Sequence, residues 1–213
     1  MVKISDQERF ALLDQFESQA RQSGYQAIAG VDEAGRGPLA GPVAAAAVIL
    51  DPARPILGLN DSKKLSEMKR EALSKQIQEN ALAWSVVLVD AGEIDQINIL
   101  QATKKAMRQA VASLAIQPDL LLIDAVDLDQ VACDVWPIIK GDAKSNSIAA
   151  ASILAKVTRD HLMLEQDTLY PGYGFAQHKG YGTAQHYSAI RQFGLTPIHR
   201  LTFLKNLAEH DCL

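Results

Sequence analysis

Cysteine is nearly missing: 213 residues hold two, Cys133 and Cys212, with no CxxC and no Cys/His spacing. That pattern excludes a disulfide framework and a structural zinc site, and leaves buried or inert thiols. Long apolar runs are missing too. The longest, Val43 to Leu50, is eight residues of mostly Ala and Val, against the ~20 that a membrane-spanning helix needs, so no membrane role is expected. The opening MVKISDQERF has no apolar stretch behind its first Lys and therefore none of the three-part organisation of a secretory signal; the expected location is the cytoplasm. Nor is positive charge in excess. Twenty-one Lys and Arg against 25 Asp and Glu give a net charge of −4, so the chain taken whole does not advertise nucleic-acid binding. GxxxxGK[ST] does not occur, and there are no repeats or low-complexity tracts.

With 48% hydrophobic and 22% charged residues, the composition is that of a soluble protein able to bury one sizeable core. The expectation is a monomer with a single domain over 1–213, including a C-terminal helical segment over about 165–213. Basic residues gather locally: Lys63, Lys64, Lys69 and Arg70; Lys140, Lys144, Lys156 and Arg159; His178 and Lys179; His199 and Arg200. Each cluster is either a solvated face or a phosphate contact, and what lies beside it decides which.

Apolar residues at three- and four-residue steps (Phe10, Leu13, Phe16, Ala20) predict a helix over 5–22, ended by Gly24. Strands are expected at 27–32 and 42–50, joined by a Gly/Pro-rich segment, and at 84–90. Ser66 can cap a helix to about Asn80, and a further helix is expected over 99–114. Leu120 to Ile123 is a wholly apolar run of the kind buried on both sheet faces, and a fifth strand is expected at 135–139. Ser147 to Leu164 is an Ala-rich helix; PGYGFAQHKGYGT is irregular; helices resume at 184–193 and 201–209. Three sequential strands followed by strands alternating with helices indicate an α/β fold, a mixed sheet with helices on both faces.

Chemistry concentrates at strand ends. In GVDEAGRG, Asp32 and Glu33 stand where an apolar strand stops. Successive strand side chains point to opposite faces, so the two converge only if the strand breaks near Glu33, as Gly35 and Gly37 allow. An ordinary acidic turn is the bland alternative. Asp124 ends LLLID, and Asp142 follows IIKGD just ahead of the Ala-rich helix. Neighbouring parallel strands present the same ends to one crevice, so acids distant in sequence can share a site. Four crowded carboxylates repel; cations relieve them, and oxygen-only ligands select hard ions, Mg²⁺ or Mn²⁺, over Zn²⁺. Two such ions about 3.5–4 Å apart activate water against a phosphodiester. Asp160 competes with Asp142 for the fourth position, but it lies inside the helix, where Arg159 or Lys156 can pair with it. His178, His186 and His199 are irregularly spaced and are read as solvent-facing or phosphate-contacting.

These residues resemble ribonuclease HII, the bacterial type 2 ribonuclease H, over most of the chain. DEAGRGPLAGPV at 32–43, LNDSKKLS at 59–66, LIDA at 122–125, KGD at 140–142, AASILAKVTRD at 150–160, YGFAQHKGYGT at 173–183 and HRLTF at 199–203 fall in the family's order. The resemblance implies a ribonuclease H-like five-stranded mixed sheet flanked by helices, with a C-terminal helical segment. It maps catalysis and metal binding onto Asp32, Glu33, Asp124 and Asp142, and recognition of the ribonucleotide at the cut onto Gly35, Arg36, Gly37 and Tyr181. The implied substrates are RNA–DNA hybrids and DNA duplexes containing ribonucleotides. The implied products are 5′-phosphate and 3′-hydroxyl ends, formed by water that divalent ions activate. Physical sense supports the mapping: distinguishing RNA requires contact with the 2′-hydroxyl, which glycine-loop backbone can approach. Tyr181 can stack on the adjoining deoxyribose, with core packing as its alternative. Arg36, Lys63, Lys64, Lys144 and Lys179 are then phosphate contacts, positioning a duplex without reading its sequence.

Two positions depart from the family's usual pattern: Ala125 stands where a Gly is frequent, a small change, and Gly182 stands where a Pro is frequent, loosening the Tyr181 loop. Two other readings compete. Ribonuclease HIII shares the fold, but typically has an added N-terminal domain and a Lys where this chain has Arg36. A non-catalytic phosphate-binding module built on the Gly-Arg-Gly loop would leave the scattered acids unexplained.

Overall fold

The computed structural model describes residues 5–204. The helix expected over 5–22 is two helices, α1 (Asp6–Leu13) and α2 (Gln15–Gln22), parted at Asp14. Asp14 turns its carboxylate to Ser18 and Arg21, the local hydrogen bonding through which Asp competes with helix continuation. A capping box at Ser5 and Glu8 starts α1.

Five strands follow: β1 (Ile28–Ala34), β2 (Val43–Ile49), β3 (Ala83–Val89), β4 (Leu120–Asp124) and β5 (Asp134–Ile138). They form one mixed sheet in the order β3-β2-β1-β4-β5. The first three are antiparallel neighbours, while β4 runs parallel to both β1 and β5. Pro137, which has no N–H to donate, is tolerated in β5 because that strand lies at the sheet's edge.

Helices cover both faces. Alternate residues of the central strands point opposite ways: Val31, Val43, Ala45 and Ala47 pack with Ala102, Ala106 and Met107 of α5 (Ile99–Ala112). Ala44, Ala46 and Val48 meet Leu73 and Ile77 of α3 (Glu67–Asn80) and the small residues of a long helix after β5, Asn146–Leu169. The alanine run in β2 has a steric reason, because that long helix lies directly on the sheet. A Cβ added at Gly30 of β1 would stand 2.0 Å from the Ser147 carbonyl carbon.

One helix was not expected: α4 (Ala91–Ile97), capped by Asp90, whose carboxylate accepts from the Glu93 amide at 2.8 Å. Asn98, at φ 67°, separates it from α5 and caps that helix in turn. The long helix Asn146–Leu169, hereafter α6, outruns its expected 147–164. The segment read as irregular contains a single helical turn, α7 (Phe175–His178), before α8 (Ala184–Phe193). Leu201–Phe203 is a 3₁₀ turn; the rest of the helix expected to 209, and Cys212, lie outside the described residues. Among the described residues no helix is long and apolar enough to cross a membrane. Cys133 is a half-buried free thiol whose pKa burial raises, which keeps it unreactive.

Candidate active site

Asp32, Glu33, Asp124 and Asp142 line one cavity of about 390 Å³. Strand ends deliver three of them and a 3₁₀ turn, Gly141–Ala143, delivers Asp142. The break expected at Glu33 does not occur, because the β1–β2 ladder continues through Glu33↔Ala45 to Ala34↔Ala44. Convergence has another cause. Pairing of β1 with β4 stops at Val31↔Ile123, so Asp32 and Glu33 run past that end of the ladder, beside Asp124. Asp124 itself holds the Asp142 turn, accepting from the Gly141 amide at 2.9 Å.

Each acid has a local partner. Asp32 accepts from the Glu33 amide at 2.7 Å, and the Ser152 hydroxyl, 2.8 Å from that of Ser62, lines the same cavity and lowers the Asp32 pKa against its burial. Glu33 accepts from Arg36 at 3.3 Å through Oε1, while its Oε2 is buried without a hydrogen-bond partner. Asp142 stands against Asp61. Among the described residues no group of three or more His, Cys, Asp or Glu side chains stands close enough together to hold a metal ion; the four acids line an open pocket.

The electrostatics are those of crowded carboxylates. Burial holds the Asp32 carboxyl well above its ordinary pKa, and the charges of Glu33 and Asp124 push the same way. Burial also raises Glu33, opposed by Arg36. It raises Asp142, with Asp61 and Asp124 adding to it. A carboxyl raised on folding contributes stability below its unfolded pKa and loses that contribution as pH rises. At neutral pH, therefore, this pocket carries repulsion that a cation would relieve. Oxygen donors, a partnerless buried oxygen and mutual repulsion together fit a hard divalent ion.

The loop Gly35, Arg36, Gly37 and the residues Lys63 and Tyr181 line the same cavity. Tyr181 is 46% exposed, which removes core packing as its role. Three expected phosphate contacts lie outside the cavity. Lys64 pairs with Asp61 at 3.6 Å, Lys144 is exposed beyond the Asp142 turn, and the Lys179 ammonium is tied to the Ala176 carbonyl. Asp160 is also outside, paired with Lys156 at 2.6 Å. The histidines expected at solvent or phosphate are instead packed together: His186 and His199 are buried, and His178 stacks on His186.

Gly182 does not leave the Tyr181 loop slack. The Tyr181 amide donates to His178 O, and its carbonyl accepts from the Thr183 amide, each at 2.9 Å. Ala125 is a larger departure than its size suggests. At φ 48° it occupies the left-handed region, where a residue other than glycine costs of order 1 kcal/mol.

Two buried arginines escaped the sequence reading as organisers of the site. Arg200 donates to the carbonyls of Gly41, Arg36 and Gly35 at 2.9, 2.9 and 2.6 Å. Arg159 donates to those of Pro42, Lys179 and Ala40 at 2.9, 3.0 and 3.1 Å. Together they fasten the glycine loop to the Tyr181 segment. Gly35, at φ 89°, is required where it stands, since a Cβ there would lie 2.0 Å from Arg159 Nε. Their sequence signals were membership of the AASILAKVTRD and HRLTF stretches and of two basic clusters, which said nothing of the carbonyls they hold. Ser62, Ser152 and Lys156 also line the cavity.

Comparison with known proteins identifies the family and the fold. A sequence model of the family described as Ribonuclease HII matches residues 29–206. The Ribonuclease HII of Ruminiclostridium cellulolyticum is 58% identical over 204 residues, covering 96% of this chain and 80% of that protein. Among solved structures, the ribonuclease H2 of Pyrococcus horikoshii superposes with a TM-score of 0.73 at 30% identity, over 87% of this chain and 98% of that one. Bst-RNase HIII in complex with Mn²⁺ shares the fold with a TM-score of 0.65 at 20% identity, over 90% and 72% of the two chains. The mixed sheet with its flanking helices is thus ribonuclease H-like, and the chain belongs to the ribonuclease HII family.

Proposed function

We propose that Asp32, Glu33, Asp124 and Asp142 hold two divalent ions, Mg²⁺ or Mn²⁺, with which this endoribonuclease hydrolyses RNA in RNA–DNA hybrids and cuts 5′ of ribonucleotides embedded in duplex DNA. One observation carries the reading: four carboxylates, the Gly35–Gly37 loop and Tyr181 share a single cavity, and Glu33 Oε2 is buried there without a partner. A fold neighbour, Bst-RNase HIII, carries Mn²⁺. When bound, such ions neutralise developing charge and make water acidic enough to act as nucleophile.

The chain's own residues do the rest. The Glu33 amide holds the Asp32 carboxylate and the Gly141 amide holds that of Asp124, so each presents oxygen to the cavity from a fixed backbone anchor. Backbone of the Gly35–Gly37 loop, clamped by Arg200, approaches the ribose 2′-hydroxyl. The exposed Tyr181 ring meets the neighbouring deoxyribose. Lys63 and Arg36 contact phosphates; Lys64, Lys144 and Lys179 contribute only to the outer field around the duplex. The expected single domain over 1–213 is supported across the described residues, since the segment after α6 packs Tyr173, Phe175 and Ile190 against Leu39 and Ala40; a cytoplasmic monomer is part of the same proposal.

A duplex carrying one ribonucleotide, assayed beside an all-RNA strand paired to DNA, tests the reading. The expected outcome is cleavage 5′ of the single ribonucleotide, leaving 3′-hydroxyl and 5′-phosphate ends, in Mg²⁺ or Mn²⁺ and not in EDTA. Cleavage that survives EDTA, or ends bearing a 2′,3′-cyclic phosphate, would overturn it.

A further inference from the structure

Three histidines that the proposed chemistry does not use form a hydrogen-bonded stack under the Tyr181 loop. His186 Nδ1 lies 2.9 Å from the Tyr181 carbonyl oxygen, and its Nε2 lies 3.1 Å from His199 Nε2. His199 Nδ1 lies 2.9 Å from the Thr196 amide nitrogen. A carbonyl oxygen only accepts, so His186 Nδ1 carries a proton and donates. In a neutral ring its Nε2 must then accept. His199 Nε2 therefore carries a proton, and its Nδ1 accepts from the Thr196 amide. The tautomers close into one chain with every donor facing an acceptor. His178, 4.5 Å from His186 ring to ring, reinforces it by donating to Tyr173 O and accepting from the Gly180 amide.

We infer that His186 and His199 are positioning residues: a two-histidine relay, running from the Thr196 amide to the Tyr181 carbonyl, sets where the Tyr181 ring stands over the nucleotide beside the cut. The inference rests on reading Tyr181 as the residue that meets that nucleotide. A peptide flanked by Gly180 and Gly182 has little stiffness of its own, so an anchor on the tyrosine's own carbonyl holds the side chain most directly. The Gly180 carbonyl, accepting from Leu39 at 2.8 Å, ties the same turn to the strand side of the cavity.

Neutrality is built in. The His186 pKa is pushed down to about 4, chiefly by burial; the hydrogen bond to the Tyr181 carbonyl opposes that shift, and the facing His178 and His199 rings add to it. Burial also lowers His199. Other titratable groups packed nearby are Tyr173 and the buried Arg200 guanidinium, one residue beyond His199. For a histidine depressed on folding, the stability contribution is full above the unfolded pKa and is lost as pH falls through the folded one. The relay is thus intact at neutral pH and is lost as pH falls through the folded-state values of the two rings.

The test compares KM and kcat of the full chain on a duplex with one embedded ribonucleotide and on an all-RNA–DNA hybrid. The variants are His186→Leu, His186→Asn and His199→Leu. Loss of the anchor should raise KM for the single-ribonucleotide duplex about tenfold, with a smaller change on the hybrid. His186→Asn, whose amide can stand where Nδ1 does, should restore most of it. Wild-type preference between the two substrates should stay flat from pH 7 to 9. If His186→Leu does not fold, His199→Leu breaks the same chain one ring further from Tyr181 and carries the comparison. An unchanged ratio of KM values in a folded variant, failure of His186→Asn to rescue, or a preference titrating near pH 6.5 would overturn the relay. A wild-type chain that cuts neither substrate would instead sink the functional reading.

Discussion

Asp124→Asn should lower cleavage by on the order of a thousandfold or more, the scale on which losing one preorganised charge-stabilising group acts, while duplex affinity changes little. The substitution is nearly isosteric, and the amide oxygen can still accept from Gly141 N–H, so the turn carrying Asp142 stays in place. What disappears is one of the charges that burial and repulsion set against Asp32, Glu33 and Asp142. The metal-free variant should therefore be at least as stable as the parent, a sign opposite to that of an ordinary buried-site substitution. Affinity survives because phosphate contacts come from cations such as Arg36 and Lys63, not from the acids. Single-turnover cleavage, duplex anisotropy and thermal melting separate the three claims; near-normal turnover would refute the role assigned to Asp124.

Arg200→Lys should be the most damaging conservative change in the molecule. Three carbonyls, those of Gly35, Arg36 and Gly41, converge on one guanidinium. A lysine ammonium is a compact charge on a flexible stem and cannot reproduce that fork. It would leave at least two carbonyls short of a donor in an interior where each unmet group costs about 1–3 kcal/mol. Burial already pushes the Arg200 pKa down to about 9, and a lysine there would give up its charge more readily still. A loss of about 3–5 kcal/mol is expected, roughly a 10 °C fall in melting temperature for a chain of this size. The Gly35–Gly37 loop should loosen with it, so KM should rise in whatever fraction stays folded. Calorimetry checks the first effect and steady-state kinetics the second; a variant melting within about 2 °C of the parent would contradict this role for Arg200.

The sheet was legible in the sequence because strand pattern and buried position coincide. The apolar runs at β2 and β4 have no polar face, as strands covered on both sides require. The acids were legible because Asp32, with Glu33 next to it, and Asp124 come at the ends of apolar runs, and Asp142 comes shortly after a third. What escaped depends on contacts between distant parts of the chain. Nothing near Arg200 announces that its partners lie more than 150 residues earlier, and a basic residue beside a histidine reads equally well as a phosphate contact. The stacked histidines were misjudged for the same reason: their irregular spacing argued against a metal site, but said nothing of burial. Helix α4 was passed over because Gly92 and its seven-residue length leave little periodicity to count. The expected strand break at Glu33 came from considering β1 alone, whereas the convergence of Asp32 and Glu33 arises from where its parallel partner stops.

Diffraction from crystals soaked in Mn²⁺, recorded at the manganese edge, tests the central claim most directly. Anomalous peaks within about 2.5 Å of carboxylate oxygens of Asp32, Glu33, Asp124 and Asp142, with Glu33 Oε2 drawn into contact, are the predicted result. A soaked crystal with no peak in that cavity, or with manganese held elsewhere on the chain, would contradict it.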